Sequence, residues 1–197
     1  LDIPLQHGDD RVLRAMNRKG SSDDYLRLID GIRNRLPDVA LRSSFIVGFP
    51  GENARAFDNL LAFLERIRFD RVGVFAYSRE EDTPARDLPG RVSRKVAAAR
   101  RDILMRAQQR ISLEKNEALV GKTVEVLVEG ATGDGLVGRS YRDAPEIDGL
   151  VYVSGAHAEP GEFISAKLTQ GTEYDLISDL CHENGGRNGN QIGNQAE

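Results

Sequence analysis

The twelve residues LRSSFIVGFPGE, numbered 41 to 52, join an apolar strand to an abrupt stop. Apolar residues lead to Gly48, and the triplet Phe49-Pro50-Gly51 that follows fits a type II turn. Buried parallel strands end where α/β sheets and barrels bind ligands, and glycine lets a ligand approach the backbone. The stretch therefore predicts either a ligand-binding strand end or only a tight turn. In the first case Glu52 accepts a hydrogen bond from the ligand, and in the second it lies in the first turn of the next helix.

Strands and helices alternate around this stretch. The sequence predicts strands at residues 1–5, 41–49 and 72–77, and helices at 10–20, 23–36 and 54–68. Residues 8–10 offer an N-cap to the first helix, and Ser21 or Ser22 can cap the second. Helices between strands imply right-handed crossovers and a parallel sheet covered by helices. Because LDIPL at residues 1–5 would be an uncovered apolar edge, we expect further strands upstream and interpret the chain as a fragment.

The spacing of apolar residues changes in the second half of the sequence. Residues 92–119 form one long helical pattern that we interpret as a connection between two domains, with a predicted buried seam at Val92, Val96, Ile103, Ala107 and Ile111. Beyond Gly121 the period becomes two, and five short segments bounded by Gly, Asp and Pro predict a small β-barrel.

Composition restricts the class of protein. The 197 residues include 40% hydrophobic residues, which is enough for real cores, and no window is apolar enough to predict a membrane span. We therefore expect a cytoplasmic protein. Cys181 is the only cysteine, which excludes a disulfide framework and any metal site built from several thiolates of this chain.

Charge is divided unevenly along the chain. Residues 1–117 carry 22 Lys and Arg against 18 Asp and Glu, whereas residues 118–197 carry 5 against 13. The net charges are therefore +4 and −8. An acidic surface repels phosphate, so a basic protein is the favoured partner for the C-terminal part.

Polar side chains at the predicted strand ends are candidate ligand contacts. Gln6 suits hydroxyl or carboxylate groups, whereas a lone histidine such as His7 is more often structural. Arg42 and Ser44 alternate with apolar neighbours, which indicates either a polar barrel interior or an edge exposed to solvent. Tyr77 ends the third strand, where core packing is favoured over a ligand contact.

The loop GRSYRDAPEIDG, residues 138–149, concentrates charge in the barrel region. Its charged residues are Arg139, Arg142, Asp143, Glu146 and Asp148. Such a run is usually solvated surface, and a contact with a partner is the alternative. The residues alone thus predict a ligand-binding α/β domain joined to a small acidic barrel.

Several segments together resemble a known family. LDIPLQH, LRSSFIVGFPGE, DRVGVFAYSREEDTPA, the long helix and GRSYRDAPEIDGLVYV are similar to the C-terminal half of the RimO-type methylthiotransferases. Those radical S-adenosylmethionine (SAM) enzymes modify an aspartate of a small-subunit ribosomal protein. The resemblance implies an α/β part of a radical-SAM (β/α) barrel at 1–90, a connecting helix at 91–117, an OB-like all-β TRAM barrel at 118–182 and a flexible tail at 183–197.

The resemblance also implies cofactors and site residues. The cofactors are S-adenosyl-L-methionine and two 4Fe-4S clusters. The residues implied to contact the adenosyl group are Ile46, Val47, Gly48, Phe49 and Pro50. Those implied at the ribose and methionine ends are Gln6 and Arg42, and those expected to contact the substrate are Arg139, Asp143 and Glu146.

The cluster ligands of the family are cysteines that would precede Leu1, and Cys181 cannot replace them. We therefore expect the chain to be inactive alone and to need the upstream N-terminal half of the same protein. Its expected substrate partner is a basic small-subunit ribosomal protein, and it is not expected to contact a membrane.

Two alternatives stay open. The first is the MiaB-like, tRNA-modifying branch of the superfamily, which is less favoured because His-Gly-Asp follows Gln6 where that branch resembles Ser-Gly-Ser. The acidic barrel is also a poor surface for a phosphate backbone. The second alternative is a non-catalytic module that docks on a ribosomal protein or on RNA.

Overall fold

The structure is a computed structural model of the chain and describes residues 1–133, 135–155 and 157–181. The tail predicted at 183–197 lies outside the described residues. The described part has two bodies, a helix-covered parallel sheet followed by a closed barrel. Among its helices, none is both long enough and apolar enough to span a membrane.

The parallel sheet has strand β1 (Arg42–Val47) at its centre. Strand β2 (Arg71–Ala76) pairs with β1 in parallel, as the sequence predicts. Residues 1–7 lie along the other side of β1, with the Ile3 amide donating to the Arg42 carbonyl at 3.0 Å and the Ile46 amide donating to the Gln6 carbonyl at 2.9 Å. LDIPL itself is not a regular strand and makes only isolated bridges. Pro4 has no amide to donate, and Gln6 has φ +71°, so the prediction of a strand there is wrong.

Four α-helices and one short 3-10 helix accompany the sheet. Their bounds are α1 (Asp10–Ala15), α2 (Ser22–Arg35), α3 (Ala54–Ile67), a 3-10 helix (Pro84–Asp87) and α4 (Arg94–Glu117). The predicted caps are present: Asp9 accepts the amides of Arg11 and Val12, and Ser21 forms a capping box with Asp24. Helix α1 ends well before Gly20 because Asn17 already has φ +56°.

One face of the sheet is covered and the other is open. Phe45 and Val47 of β1 are fully buried in a core shared with α2, α3 and α4. Because side chains alternate along a strand, Ser44 and Ile46 point to the opposite face. Ile46 is paired there with Phe75 of β2, whose side chain is 59% exposed.

The buried face of α4 differs from the predicted seam. Val96 and Ile103 are exposed, and the residues that the helix buries are Ala97, Leu104, Gln108, Ile111, Ser112 and Asn116. Three of these are polar and satisfy main-chain carbonyls: Gln108 donates to Phe69, Ser112 donates to Asp70 and Asn116 donates to Thr172. The prediction is confirmed for Ile111 and wrong for Val96 and Ile103, because it assigned the inner face by hydrophobicity alone.

Five strands close into a barrel in the spatial order β3-β4-β5-β7-β6, which confirms the small all-β barrel. Their bounds are β3 (Thr123–Thr132), β4 (Gly135–Arg139), β5 (Val151–Ser154), β6 (Phe163–Gly171) and β7 (Leu176–Leu180). The β5–β7 pair is parallel and the other four pairs are antiparallel. Alternate residues such as Val126, Val153 and Leu168 fill the interior.

Candidate functional site

The Phe49-Pro50-Gly51 triplet forms the type II turn that its sequence predicts. The Glu52 amide donates to the Phe49 carbonyl at 2.9 Å, and Gly51 has φ +85°, as the third position of this turn requires. Helix α3 begins only at Ala54, with Asn53 as its N-cap. The expectation that Glu52 lies in the first turn of this helix is therefore wrong.

The Glu52 carboxylate points back into the protein. Its Oε2 accepts the Gly48 amide at 2.8 Å, and its Oε1 accepts from Arg100 Nη1 at 2.6 Å. The same Nη1 donates to the Glu52 carbonyl at 3.0 Å, and the Glu52 side chain has no exposed surface. Since these partners occupy the carboxylate, Glu52 braces the turn and does not face a ligand.

His7 is a buried structural residue, which is the interpretation that the sequence favours for a lone histidine. Its Nδ1 accepts the Asp9 amide at 3.0 Å, which places the proton of the neutral ring on Nε2. Nε2 lies 3.4 Å from Glu52 Oε2 without the alignment of a hydrogen bond. His7 therefore connects the segment 1–7 to the start of α1 and to Glu52.

A cleft of about 470 Å³ opens at the carboxyl ends of β1 and β2. Its residues are Gly48, Pro50, Ala76, Tyr77, Ser78, Val92 and Ala97, with Arg79, Arg86, Arg91 and Arg94 around them. This volume lies in the range of about 300–1,000 Å³ that is usual for small-molecule sites. The cleft is also at the sheet edge where ligands of α/β folds bind.

The predicted adenosyl contacts occupy different places. Gly48 and Pro50 line the cleft, whereas Ile46 lies on the open face of the sheet. Val47 and Phe49 are buried at 0% and 5% exposure, and Phe49 contacts the Tyr77 ring edge-on at 5.1 Å between centroids. Thus Gly48 and Pro50 line the cleft, whereas Val47 and Phe49 pack in the interior.

Gln6 and Arg42 lie at opposite ends of β1. Gln6 is half-buried beside Phe45, near the carboxyl end of the strand. Arg42 is the first residue of β1 and pairs with Asp148 at 2.5 Å. At 3.3 Å per residue this end lies roughly 16 Å from Val47, so Arg42 does not reach the cleft. A contact between Arg42 and the cofactor stays a prediction, and this cleft does not support it.

The sequence interpretation missed the contribution of α4 to the cleft. A Cβ atom on Gly48 would lie 2.5 Å from the Ala97 Cβ, so the helix packs directly on the strand end. The available signal was the run Ala97-Ala98-Ala99, because small side chains permit such a close approach. The helical pattern alone indicates only a connection between domains.

The charged loop at residues 138–149 contacts the sheet domain. Arg142 Nη2 donates to Asp70 Oδ1 at 2.8 Å, and Arg71 Nη2 donates to Asp143 Oδ1 at 2.8 Å. Lys115 adds a second cation at 2.8 Å from Asp70 Oδ1. Arg142 and Asp143 are 9% and 7% exposed, so the expectation of a solvated loop is wrong for them.

Asp70 is the centre of this interface. Burial works to raise the pKa of its carboxyl, but Lys115, the Leu41 amide and Arg142 outweigh that effect and hold the pKa below its usual value of 3.8. Burial lowers the pKa of Lys115. Asp70 acts to raise this pKa but offsets the effect of burial only in part, and repulsion from Arg33 and Arg142 lowers it further. The two cations lower the pKa of Asp70, whereas burial is the main cause of the lowered pKa of Lys115.

The three predicted substrate contacts have three different environments. Arg139 pairs with Glu129 at 2.6 Å on the barrel surface, and Glu146 is exposed with φ +63°. Asp143 is held between Arg71 and the Ser140 hydroxyl. Arg139 and Glu146 are open to a partner, whereas Asp143 has its contacts within the chain.

Among the described residues, no group of three or more His, Cys, Asp and Glu side chains is arranged to hold a metal ion. Cys181 is partly buried, and its Sγ lies 3.6 Å from the Thr123 hydroxyl at the end of the barrel.

Two protein families match separate parts of the chain. The radical SAM superfamily matches residues 1–64, and the TRAM domain matches residues 120–180. The first match contains β1 and ends within α3, before β2, and the second covers the closed barrel. The chain is therefore a radical SAM segment followed by a TRAM domain.

The similar curated proteins narrow this class. The ribosomal protein uS12 methylthiotransferase RimO of Syntrophotalea carbinolica is 51% identical over 185 residues, covering 92% of this chain and 41% of that protein. The RimO proteins of Trichlorobacter lovleyi and Roseiflexus castenholzii are 46% and 52% identical, and the chain covers 41% and 38% of their lengths. The chain is thus a homologue of part of RimO and spans about two fifths of these relatives, which agrees with the resemblance to a C-terminal portion.

One solved structure, the apo form of Mycoplasma genitalium RNase R, aligns with a TM-score of 0.26 and 15% identity, covering 44% of this chain and 18% of that chain. This likeness is too low to define a fold.

Proposed function

We propose that this chain is the C-terminal part of a radical SAM methylthiotransferase, which adds a methylthio group to the β-carbon of an aspartate in the ribosomal protein uS12. The observation that carries the proposal is the cleft beside Gly48, at the carboxyl ends of β1 and β2, in a chain 45–52% identical to RimO proteins. The radical SAM segment would bind the cofactor and the TRAM barrel would face the protein substrate.

The residues of the cleft fit an adenosyl group. Gly48, Pro50 and Ala76 leave a surface of small or apolar groups, and Tyr77 adds an aromatic ring beside them. Positive φ at Gly48 brings main chain rather than a side chain to the cleft. When bound, S-adenosylmethionine would supply the one-electron chemistry that activates a carbon–hydrogen bond. The role of these residues is to hold and orient it.

The iron–sulfur clusters do not fit the residues of this chain. Each cluster needs several thiolates, and the sequence has the single cysteine Cys181. We propose that the upstream half of the intact protein supplies the ligands of two 4Fe-4S clusters. Iron analysis tests this, because the isolated chain should contain far less than stoichiometric iron after reconstitution. A stoichiometric cluster on the isolated chain would contradict the proposal.

The activity is tested in cells that lack the gene for the intact protein. Restoring that gene should restore a methylthio group on uS12, detected by mass spectrometry of the purified protein. Gly48→Val should abolish the modification, because its side chain would collide with Ala97. Gly31→Ala on α2 is the matched control and should keep it, since the nearest atom to the added Cβ is Arg35 Nη1 at 3.6 Å. Unmodified uS12 with the wild-type gene would refute the function.

The tRNA-modifying alternative predicts a different salt dependence. Binding of the intact protein to uS12 and to tRNA is compared across a salt series. The acidic barrel favours uS12, whereas tight tRNA binding with a steep loss of affinity at high salt would favour the MiaB-like alternative. Binding of uS12 without modification would leave the docking module as the function. A cytoplasmic location is part of this proposal.

A further inference from the structure

Three segments of the chain converge on the buried Glu52 carboxylate. Arg100 arrives from α4 at 2.6 Å, the Gly48 amide comes from the end of β1 at 2.8 Å, and His7 Nε2 lies at 3.4 Å. The guanidinium of Arg100 also lies over the Phe57 ring of α3, 5.4 Å from its centroid. The turn at the cleft is therefore fixed by groups distant in sequence.

Arg100 is the group that compensates the charge of Glu52. His7 cannot replace it, because Nδ1 is committed to the Asp9 amide and Nε2 is poorly aligned with the carboxylate. A buried carboxylate that loses its cation is strongly unfavourable and moves toward water. Since the same carboxylate holds the Gly48 amide, its movement would release the backbone of the cleft.

Helix α4 touches both ends of this turn. Ala97 packs on Gly48, and Arg100, three residues later on the same helix, binds the side chain and the carbonyl of Glu52. Residues three apart lie on one face of a helix. One face of α4 thus sets the position of Gly48 relative to the rest of the cleft.

We propose that Arg100 is a positioning residue for cofactor binding: through Glu52 it holds the Gly48 amide and so keeps the cleft in its binding shape. This rests on the proposed function of the cleft as the S-adenosylmethionine site. Helix α4, which the sequence predicts as a connection between domains, then also supports cofactor binding.

The experiment uses the intact protein with Arg100→Gln and Arg100→Lys. Arg101→Gln is the matched control, because Arg101 is the next residue, is half exposed and pairs with the adjacent Asp102 at 3.1 Å. The first readout is hydrogen exchange of the Gly48 amide, which needs no ligand. The second is the affinity for S-adenosylhomocysteine, measured by calorimetry.

We expect Arg100→Gln to accelerate exchange of the Gly48 amide by at least about tenfold and to weaken S-adenosylhomocysteine binding by about tenfold. Arg100→Lys should restore part of both, because it keeps the charge without the second hydrogen bond. The control should match the wild type. A change confined to KM for S-adenosylmethionine, with kcat retained, would agree with positioning.

Two results would overturn the inference. One is a folded Arg100→Gln protein with wild-type exchange at Gly48, and the other is equal effects of Arg100→Gln and Arg101→Gln. If Arg100→Gln does not fold, Arg100→Met, which keeps an apolar stem against Phe57 but removes the charge, takes its place, and wild-type exchange at Gly48 in that variant refutes the proposal. A wild-type protein that binds no S-adenosylhomocysteine would instead refute the proposed function, while the exchange readout would still test the role of Arg100.

Discussion

Replacing Asp70 by Asn should weaken the contact between the barrel and the sheet domain. The amide oxygen of Asn can still accept the Leu41 amide, which the carboxylate accepts at 2.9 Å. Arg142 and Lys115, each 2.8 Å from Asp70 Oδ1, would lose their counter-charge. The side chain of Arg142 is only 8% exposed, so water cannot replace that partner.

The magnitude follows from the burial of the groups. Removing one partner of a buried ion pair costs about 3–5 kcal/mol. The lower end applies because the Lys115 side chain is 26% exposed and can turn toward water. We expect the free energy of unfolding to fall by about 3 kcal/mol, which for a chain of this size lowers Tm by roughly 6–12 °C.

Urea unfolding followed by circular dichroism measures this change, since urea is uncharged and leaves ion pairs unscreened. The matched control is Glu65→Gln, whose carboxylate pairs with Arg110 at 3.0 Å but is 47% exposed. An exposed pair of this kind should cost less than about 1 kcal/mol. Equal losses in Asp70→Asn and Glu65→Gln would refute the view that Asp70 connects the two domains.

The same interface predicts a pH dependence. The pKa of Asp70 is lower in the folded chain than its usual value of 3.8, so its stabilising contribution is present above that pH. It is lost as the pH falls through the lowered value. The stability difference between the wild type and Asp70→Asn should therefore shrink below about pH 4. A difference that stays constant down to pH 2 would contradict the assignment.

Three further substitutions test local features by urea unfolding. Gly138→Ala in β4 should cost at least about 2 kcal/mol, because its Cβ would lie 2.2 Å from the Leu127 carbonyl oxygen. Asn53→Ala should cost about 1 kcal/mol, since it removes the N-cap that accepts the Ala56 amide at 2.9 Å. Gly31→Ala should stabilise α2 by about 0.5–1 kcal/mol, because alanine loses less backbone entropy than glycine on forming a helix and its Cβ would cause no clash.

Local signals in the sequence predicted most of the fold. The caps at Asp9 and Ser21, the turn at residues 49–52 and the change to a period of two beyond Gly121 depend on neighbouring residues alone. Each of these elements is present in the structure. The closed barrel followed because the five apolar segments alternate so regularly that only one face of each can be buried.

The failures concern contacts between residues far apart in sequence. Gln108 is buried in α4 because its amide reaches the Phe69 carbonyl, and no helical pattern reveals that partner. Arg142 is buried because Asp70, 72 residues away, compensates its charge. Hydrophobic periodicity identifies apolar interiors, whereas buried polar groups become visible only when their partners are placed.

The proposed cofactor cleft was also predictable only in part. The strand end at Gly48 was predictable from the turn and its position after β1. The opposite wall was not, because Ala97 comes from a helix about fifty residues later. Arg42 lies at the end of β1 opposite the cleft, and the alternation of side chains along a strand does not reveal that position.

The length of helix α4 sets the distance between the cleft and the barrel. Ala97 rests on Gly48 at one end, and Asn116 donates to the Thr172 carbonyl at the other. At 1.5 Å per residue these two points lie about 29 Å apart along the helix axis. Under the proposed function, a protein substrate bound by the barrel would have to present its reacting residue on a segment that reaches this distance, and a short peptide around that residue would contact only one of the two ends.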